Sequence, residues 1–165
     1  MRPFSILFVL GFLATVLIAS VAQAAQALDV VTLRNMQSGL CLDVKGYKGA
    51  SRDNVMLYAC DGYPDQLWGE QYTRKGYFKL INGKNGLCLD VKGYEAKPGD
   101  NVMLYACDGY PDQEWITSNG PNGSWALVNR KSGLCLDIEG YDARSRANAR
   151  LAPCDGRMDQ YWIGY

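Results

Sequence analysis

The residues of this chain that could do chemistry are aspartates that recur at a fixed spacing. Two sets of three stand 47 residues apart along the 165-residue sequence, and each member of the second set directly precedes a glutamine: Asp43, Asp90 and Asp137, then Asp65, Asp112 and Asp159. Carboxylates can serve as a catalytic acid and base, bind a cation, accept hydrogen bonds from a ligand, or cap turns. Histidine, the commonest general base, is absent, so any hydrolytic chemistry would rest on carboxylates alone.

The elements that must position these aspartates repeat with them. Each unit contains a Cys-Leu-Asp motif, a second cysteine and a closing Gln-x-Trp motif, and these landmarks begin at the following positions: 41, 60 and 66; 88, 107 and 113; 135, 154 and 160. Nothing is inserted or deleted between equivalent landmarks. The sequence therefore predicts three 47-residue repeats, at about 31–76, 77–123 and 124–165.

Each repeat is predicted to contain four short strands. In the first repeat the short apolar or alternating runs are residues 31–35, 41–44, 55–58 and 66–68, and turn residues separate them. No stretch beyond the first residues sustains the apolar periodicity of an amphipathic helix, which favours an all-β protein. Propellers also repeat four-stranded units, but they typically need about four to eight of them. Three such repeats predict a closed β-trefoil.

The six cysteines are expected to form one disulfide within each repeat. Threefold repetition leaves only pairings that treat every repeat alike, and the simplest is Cys41 with Cys60, Cys88 with Cys107, and Cys135 with Cys154. A cyclic scheme that joins neighbouring repeats is also symmetric and stays open. Zinc is not expected, because no repeat contains a Cys-x-x-Cys pair. Disulfides of this kind persist in the oxidising space outside the cell.

Residues 1–24 are predicted to form a cleaved secretory signal peptide. They carry one positive charge, Arg2, then an uncharged apolar run over 4–18 and small-residue cleavage sites ending at residue 24 or 27. A retained membrane anchor is the alternative. Cleavage removes one of the 17 basic residues and none of the 17 acidic ones, so the near-zero net charge offers no footprint for nucleic acid or an anionic membrane. We expect a secreted protein with one domain, 28–165, and no membrane span in the mature chain.

Taken together, the Cys-Leu-Asp-Val motif, the central cysteine and the Gln-x-Trp motif resemble the ricin-B (R-type) lectin family. The resemblance covers the whole chain after the signal peptide, and three repeats in register are far more specific than one. It implies a β-trefoil that binds sugar in up to three shallow pockets and has no catalytic activity. The tryptophans of the Gln-x-Trp motifs are expected in the core, with the glutamines beside them.

The resemblance also assigns carbohydrate-binding residues in the first two repeats. They comprise an aspartate that accepts hydrogen bonds from sugar hydroxyls, an aromatic platform, and the acidic residue and glutamine that open the last motif: Asp43, Tyr58, Asp65 and Gln66, then Asp90, Tyr105, Asp112 and Gln113. In the third repeat Ala152 replaces the tyrosine, and Arg150 replaces the methionine found at positions 56 and 103. We therefore expect two good sugar sites and one degenerate site.

Calcium is the expected cofactor. Galactose-binding ricin-type pockets usually have Asn at positions 65 and 112, and a second carboxylate there, with no Lys or Arg at a matching position, would repel the first unless a cation were present. The repeats are most similar to those of the calcium-dependent, galactose-specific echinoderm lectins of this superfamily. That similarity implies metal ligation by aspartate side chains and two carbonyls per repeat: Asp43, Asp65, Val44 and Gly46; Asp90, Asp112, Val91 and Gly93; less firmly Asp137, Asp159, Ile138 and Gly140.

The sequence thus predicts a lectin for glycans that end in galactose or N-acetylgalactosamine, and not an enzyme. A metal-free ricin-type module and a toxin delivery subunit are the alternatives. A carboxylate-pair glycosidase is disfavoured, because catalytic sites are seldom repeated threefold on one small domain.

Overall fold

The computed structural model describes residues 28–46, 48–73 and 76–165, and there it contains twelve strands: β1 Asp29–Asn35, β2 Cys41–Val44, β3 Val55–Tyr58, β4 Leu67–Tyr72, β5 Phe78–Asn82, β6 Cys88–Val91, β7 Val102–Tyr105, β8 Trp115–Asn119, β9 Trp125–Asn129, β10 Cys135–Ile138, β11 Ala149–Ala152 and β12 Tyr161–Gly164. The helices of these residues are three-residue 3-10 turns, and none of them has the length or apolar character to cross a bilayer. The predicted signal peptide, 1–24, lies outside the described residues.

The strands form a closed β-trefoil, which confirms the predicted fold class. Six of them make an antiparallel ring in the order β1, β4, β5, β8, β9 and β12, and β12 pairs back onto β1. The remaining six form three hairpins, β2–β3, β6–β7 and β10–β11, one from each repeat. A closed ring leaves no unpaired edge among its own strands. Each hairpin carries the first aspartate of its repeat on β2, β6 or β10.

The core sits inside the ring and under the hairpins. The tryptophans of the three Gln-x-Trp motifs, Trp68, Trp115 and Trp162, are 0% exposed, as predicted. The indole Nε1 of Trp68 donates to the carbonyl of Leu42 on β2 at 3.2 Å, and that of Trp115 donates to Leu89 on β6 at 3.3 Å. In the first and second repeats the core tryptophan therefore ties the hairpin to the ring strand that closes the same repeat, whereas Nε1 of Trp162 has no hydrogen-bond partner among the described residues.

Three predicted strand boundaries are wrong: β1 begins at Asp29 and not at 31, and β4 extends to Tyr72 and not to 68, while its start also differs. The run 66–68 was expected to begin a strand at Gln66, but Pro64–Gln66 form a 3-10 turn and β4 begins at Leu67. The fixed backbone dihedral of Pro64 suits the first position of such a turn. Gln66 therefore does not share a strand face with Trp68, although both side chains are fully buried.

Each repeat is joined to the next by the loop inside its hairpin. Arg52, in the β2–β3 loop, donates its backbone N–H to the carbonyl of Leu104 on β7 at 2.7 Å, and the N–H of Leu104 donates to Asp53 at 2.9 Å. Gly99 in the β6–β7 loop bonds in the same way to Leu151, and Arg146 in the β10–β11 loop bonds to Leu57, each at 2.7 Å. The loops thus link the repeats in cyclic order, and residues of one repeat reach the pocket of another.

The three disulfides lie within the repeats, as the simplest pairing predicted: Cys41–Cys60, Cys88–Cys107 and Cys135–Cys154. No cysteine among the described residues is free. Each bond closes a loop with a sequence separation of 19 and connects a hairpin strand to the segment before the 3-10 turn.

Replacing both Cys88 and Cys107 with alanine is expected to lower the free energy of unfolding by about 3 kcal/mol, since the open loop gains conformational freedom in the unfolded chain. Urea titration followed by tryptophan fluorescence measures the loss, and far-ultraviolet circular dichroism should still report the same β-rich fold. An unchanged urea midpoint would contradict the expectation. The double replacement leaves no free thiol that could form a new disulfide.

Candidate ligand-binding pockets

Two surface pockets bring together the residues predicted for the first and second repeats. The first pocket is lined by residues of β2, β3 and the 3-10 turn, including the predicted Asp43, Val44, Gly46, Tyr58 and Asp65. The second pocket contains their counterparts: Asp90, Val91, Gly93, Tyr105 and Asp112. The predicted acidic pair, carbonyl-bearing residues and tyrosine therefore share one concave surface in each of these two repeats.

The glutamine of each motif lies behind its aspartate. Gln66 is fully buried and its Nε2 donates to Oδ2 of Asp43 at 2.8 Å and to the carbonyl of Ala59 at 2.7 Å. Its Oε1 accepts the backbone N–H of Asp61 at 3.0 Å. Gln113 repeats the arrangement, with 2.7 Å to Asp90. The glutamines thus orient the aspartates, and neither of them lines its pocket.

Each pocket contains two neighbouring carboxyl groups, and it is electrostatically unfavourable for both of them to be ionised. Burial raises the pKa of Asp43 from 3.8 to about 6; the hydrogen bond from Gln66 lowers it, and the charge of Asp65 raises it further. Asp90 has its pKa raised to about 6 in the same way, by burial first and by Asp112 among the charges. Without a cation, each of these aspartates would take up a proton at a higher pH than an exposed carboxyl group does.

The residues fit an oxygen-coordinated cation. Oδ1 of Asp112 is buried and has no hydrogen-bond partner among the described residues, so it is available as a ligand. Within those residues, no three or more His, Cys, Asp and Glu side chains converge on one point, so any ion would also need main-chain carbonyls. Gly46 and Gly93, which are among the predicted carbonyl ligands, have φ of 81° and 90°, a left-handed conformation that glycine adopts without strain. Carboxylates combined with carbonyls are the ligand set of Ca²⁺.

Sequence reasoning found no Lys or Arg at a matching position, yet Lys45 and Lys92 line the two pockets. It also missed two lysines that lie near the acidic pairs: Lys84 lowers the pKa of Asp43 and Lys131 lowers that of Asp112. In both cases the lysine is a lesser influence than burial. Each comes from the turn that opens the following repeat, so a comparison of positions within one repeat could not reveal it.

Further aromatic rings line the pockets beside the predicted platforms. Tyr63 lies in the first pocket, while Tyr94 and Tyr110 lie in the second with their rings edge to face at a centroid distance of 5.5 Å. All three are more than half exposed, whereas Tyr58 and Tyr105 are half-buried. The available signal was the Asp-Gly-Tyr-Pro-Asp motif, in which a tyrosine stands two residues before the second acidic residue.

The third repeat keeps both aspartates, but hydrogen bonds within the protein engage both carboxylate oxygens of Asp137. Nε of Arg150 donates to Oδ1 of Asp137 at 2.9 Å, and Gln160 donates to Oδ2 of the same carboxylate at 3.1 Å. Ala152 stands opposite Cys135, where the other repeats have a tyrosine. Asp159 is buried, and its Oδ1 has no hydrogen-bond partner in the described part of the chain.

This architecture agrees with the comparison with protein families. The model of the ricin-type β-trefoil lectin domain matches residues 29–162, and the chain belongs to this family. It therefore carries a carbohydrate-binding domain of the ricin-B type, as its motifs indicated. A search of curated protein sequences found no match.

Solved structures support the same fold. The designed threefold-symmetric protein ThreeFoil is 30% identical, with a TM-score of 0.79, and the match covers 82% of this chain and 96% of that one. The hemolytic lectin CEL-III is 36% identical, with a TM-score of 0.70, over 82% of this chain but 29% of its own. A ricin B-like lectin of Macrolepiota procera in complex with lactose shares the fold at 16% identity and a TM-score of 0.72, over 82% of this chain and 94% of that one.

Proposed function

We propose that the protein is a secreted, calcium-dependent lectin for glycans that end in galactose or N-acetylgalactosamine, with two working pockets. The observation that carries the proposal is the acidic pair next to a tyrosine in the first and second pockets. The domain family and the 36% identity to a hemolytic lectin over most of this chain support sugar binding. This chain spans 29% of that lectin, so hemolysis is not part of the proposal.

The side chains of each pocket supply complementary contacts to a sugar. Asp43, fixed by Gln66 through its Oδ2, keeps a second oxygen that can accept hydrogen bonds from hydroxyl groups. The ring of Tyr58 offers an apolar face with a negative quadrupole to the C–H groups of a pyranose. A bound calcium ion would neutralise the acidic pair and offer free coordination positions to two sugar hydroxyls. Asp43, Asp65 and the carbonyls of Val44 and Gly46 would hold it in the first pocket.

The third repeat is proposed to bind no sugar. Arg150 supplies the positive charge that a cation would bring elsewhere, and it engages the oxygen of Asp137 that a ligand would need. The absence of a tyrosine at position 152 also removes the platform. The remaining group, Asp159, is buried and offers little surface to a ligand.

The enzyme alternative is a glycosidase, and we propose that the protein does not have this activity. The acid of such an enzyme needs a carboxylate with a raised pKa, and Asp43 and Asp90 have that property. The same property appears in two equivalent pockets, however, and a raised pKa here follows from burial beside another carboxylate. Release of nitrophenol from a nitrophenyl galactoside above the rate in buffer would show that the protein is a glycosidase.

Replacing Tyr58 or Tyr105 with alanine is expected to weaken sugar binding about tenfold in one pocket each, because the stacked aromatic face is lost. Titration with lactose, followed by NMR signals assigned to each repeat, would report the two pockets separately. The double variant should no longer be retained on a galactose resin. Tyr72→Ala is the matched control, since Tyr72 is exposed and lines neither pocket. Retention of the double variant like that of the wild type would show that another surface binds galactose.

A further inference from the structure

Each working pocket receives an arginine from a different repeat. Arg146, in the β10–β11 loop of the third repeat, lines the first pocket. Arg52, in the β2–β3 loop of the first repeat, lines the second pocket. The two residues are equivalent by the 47-residue repeat, and the third member of the set is Gly99. The pockets with a tyrosine platform are therefore also those that a neighbouring arginine reaches.

The backbone holds both arginines in place. Each donates its N–H to a leucine of the strand that carries the neighbouring pocket: Arg52 to Leu104 and Arg146 to Leu57, at 2.7 Å in both cases. Their φ angles are 73° and 69°, in the left-handed region that favours glycine. Gly99 adopts a similar φ of 89°, so the loop geometry does not itself call for an arginine. The choice of arginine at a strained position points to a role for its side chain.

The guanidinium groups are available to a ligand. Both arginines are exposed, and neither forms an ion pair within the described residues. Arg52 lies 5.9 Å from the ring centroid of Tyr105, the proposed sugar platform of the second pocket. Neither guanidinium is among the charges that shift the pKa of Asp43 or Asp90. Arg52 therefore lies on the platform side of the second pocket.

We propose that Arg146 and Arg52 form an anion subsite beside each sugar pocket, which selects galactosides that carry a carboxylate or a sulfate. This inference rests on the proposed lectin function and specifies its ligand class. A guanidinium presents planar N–H donors that match a carboxylate or sulfate oxygen pair. A neutral galactoside uses only the inner part of the pocket, while an acidic group on the sugar, or on the next residue, reaches the arginine. With calcium bound the acidic pair would be neutralised, and Lys45 and Lys92 also line the pockets, so the preference for an acidic glycan is assigned to the planar donors of the arginine and not to positive charge alone.

The test compares the affinities for three probes, lactose, 3′-sialyl-lactose and 3′-sulfo-lactose, in calcium buffer at low ionic strength. The wild type is expected to bind at least one acidic probe about fivefold more tightly than lactose, the range of an exposed ion pair. The two acidic probes distinguish a carboxylate from a sulfate. The preference should shrink at high salt, where exposed charges are screened. In Arg52→Gln/Arg146→Gln the ratio of acidic to neutral affinity should fall to one or below.

The cyclic arrangement makes a sharper test possible. In an Asp90→Asn background only the first pocket should bind sugar, so Arg146→Gln should remove the acid preference and Arg52→Gln should not. In an Asp43→Asn background the roles should reverse. Arg144→Gln is the matched control, because Arg144 lies in the same loop as Arg146 but lines neither pocket. It should keep the wild-type ratio.

The outcomes separate this inference from the function on which it rests. If none of the three probes binds, the lectin proposal itself fails. If lactose binds but the acidic probes bind no more tightly, the anion subsite does not exist. If their advantage survives in the double arginine variant, the calcium ion or a lysine attracts the anion and the arginines do not. A loss caused in the Asp90→Asn background by Arg52→Gln would overturn the assignment of each arginine to the pocket of another repeat.

Discussion

Sugar binding is expected to disappear when calcium is chelated and to return when calcium is restored. In the first and second pockets two carboxylates share a partly buried surface, and burial together with their mutual repulsion raises the pKa of Asp43 and Asp90 to about 6. A divalent cation reverses that repulsion and offers coordination positions to sugar hydroxyls. Isothermal titration with lactose in calcium and in excess EDTA should differ by about 100-fold in affinity or more, which corresponds to about 3 kcal/mol.

Magnesium supplies the matched control for the chelation experiment. It should restore binding poorly, because it retains its waters and requires stricter octahedral geometry than carbonyls in turns provide. An Asp65→Asn/Asp112→Asn variant should bind calcium weakly while keeping the shape of the pockets. Equal lactose affinities in calcium and EDTA would identify a metal-free ricin-type pocket and leave Asp65 and Asp112 as turn residues.

Acidification is expected to release calcium, and to do so in a definite pH window. Burial raises the pKa of Asp43 and Asp90 to about 6 in the metal-free fold, from an ordinary value of 3.8. Below pH 6 a proton competes with the ion for each carboxylate, so calcium affinity should fall about tenfold per pH unit for each proton displaced. Lactose affinity in calcium buffer, measured from pH 7.5 to 4.5, should decline with it.

The stability of the metal-free protein should change in the opposite direction. A carboxyl group whose pKa is raised on folding binds its proton more tightly in the folded state, so its contribution to stability grows as the pH falls from above 6 towards 3.8. Melting temperatures in EDTA should therefore gain from these groups on acidification, while the extra stability conferred by calcium shrinks. Asp43→Asn and Asp90→Asn should each reduce this pH dependence by about half. A gap between calcium and EDTA that persists unchanged at pH 4.5 would contradict the metal site.

The repeated motifs were sufficient to predict the fold, because every landmark that determines it is local and occurs three times. The Cys-Leu-Asp and Gln-x-Trp motifs mark a hairpin strand and a ring strand, and the equal spacing of Cys60, Cys107 and Cys154 restricts the pairing to symmetric schemes. The exceptions were the start of β1 and both ends of β4; before β4, Pro64–Gln66 form a 3-10 turn, as Met158–Gln160 do in the third repeat without a proline. Short apolar runs predict that a strand is present more reliably than they predict where it begins and ends.

The sequence predicted only those residues of the pocket that belong to a single repeat. Asp43, Tyr58 and Asp65 belong to the first repeat and were found by their types and spacing. Lys84 and Arg146 influence or line the same pocket but come from the second and third repeats. Their positions depend on how the loops hydrogen-bond across the molecule, which no pattern within a repeat encodes. The missing information is the order in which the repeats contact one another around the threefold axis.

That cyclic order has a consequence for how such a molecule could arise or be rebuilt. A pocket needs its own hairpin and the loop of a neighbouring repeat, so a single 47-residue unit made as a separate peptide would contain only part of a binding site. Three copies assembling as a noncovalent trimer would complete three identical sites, because each copy would lend its loop to the next. In one continuous chain the copies are free to differ, and here the third has lost its tyrosine while still lending Arg146 to the first pocket. If the third repeat binds no sugar, as proposed, it still contributes a residue to the pocket of its neighbour.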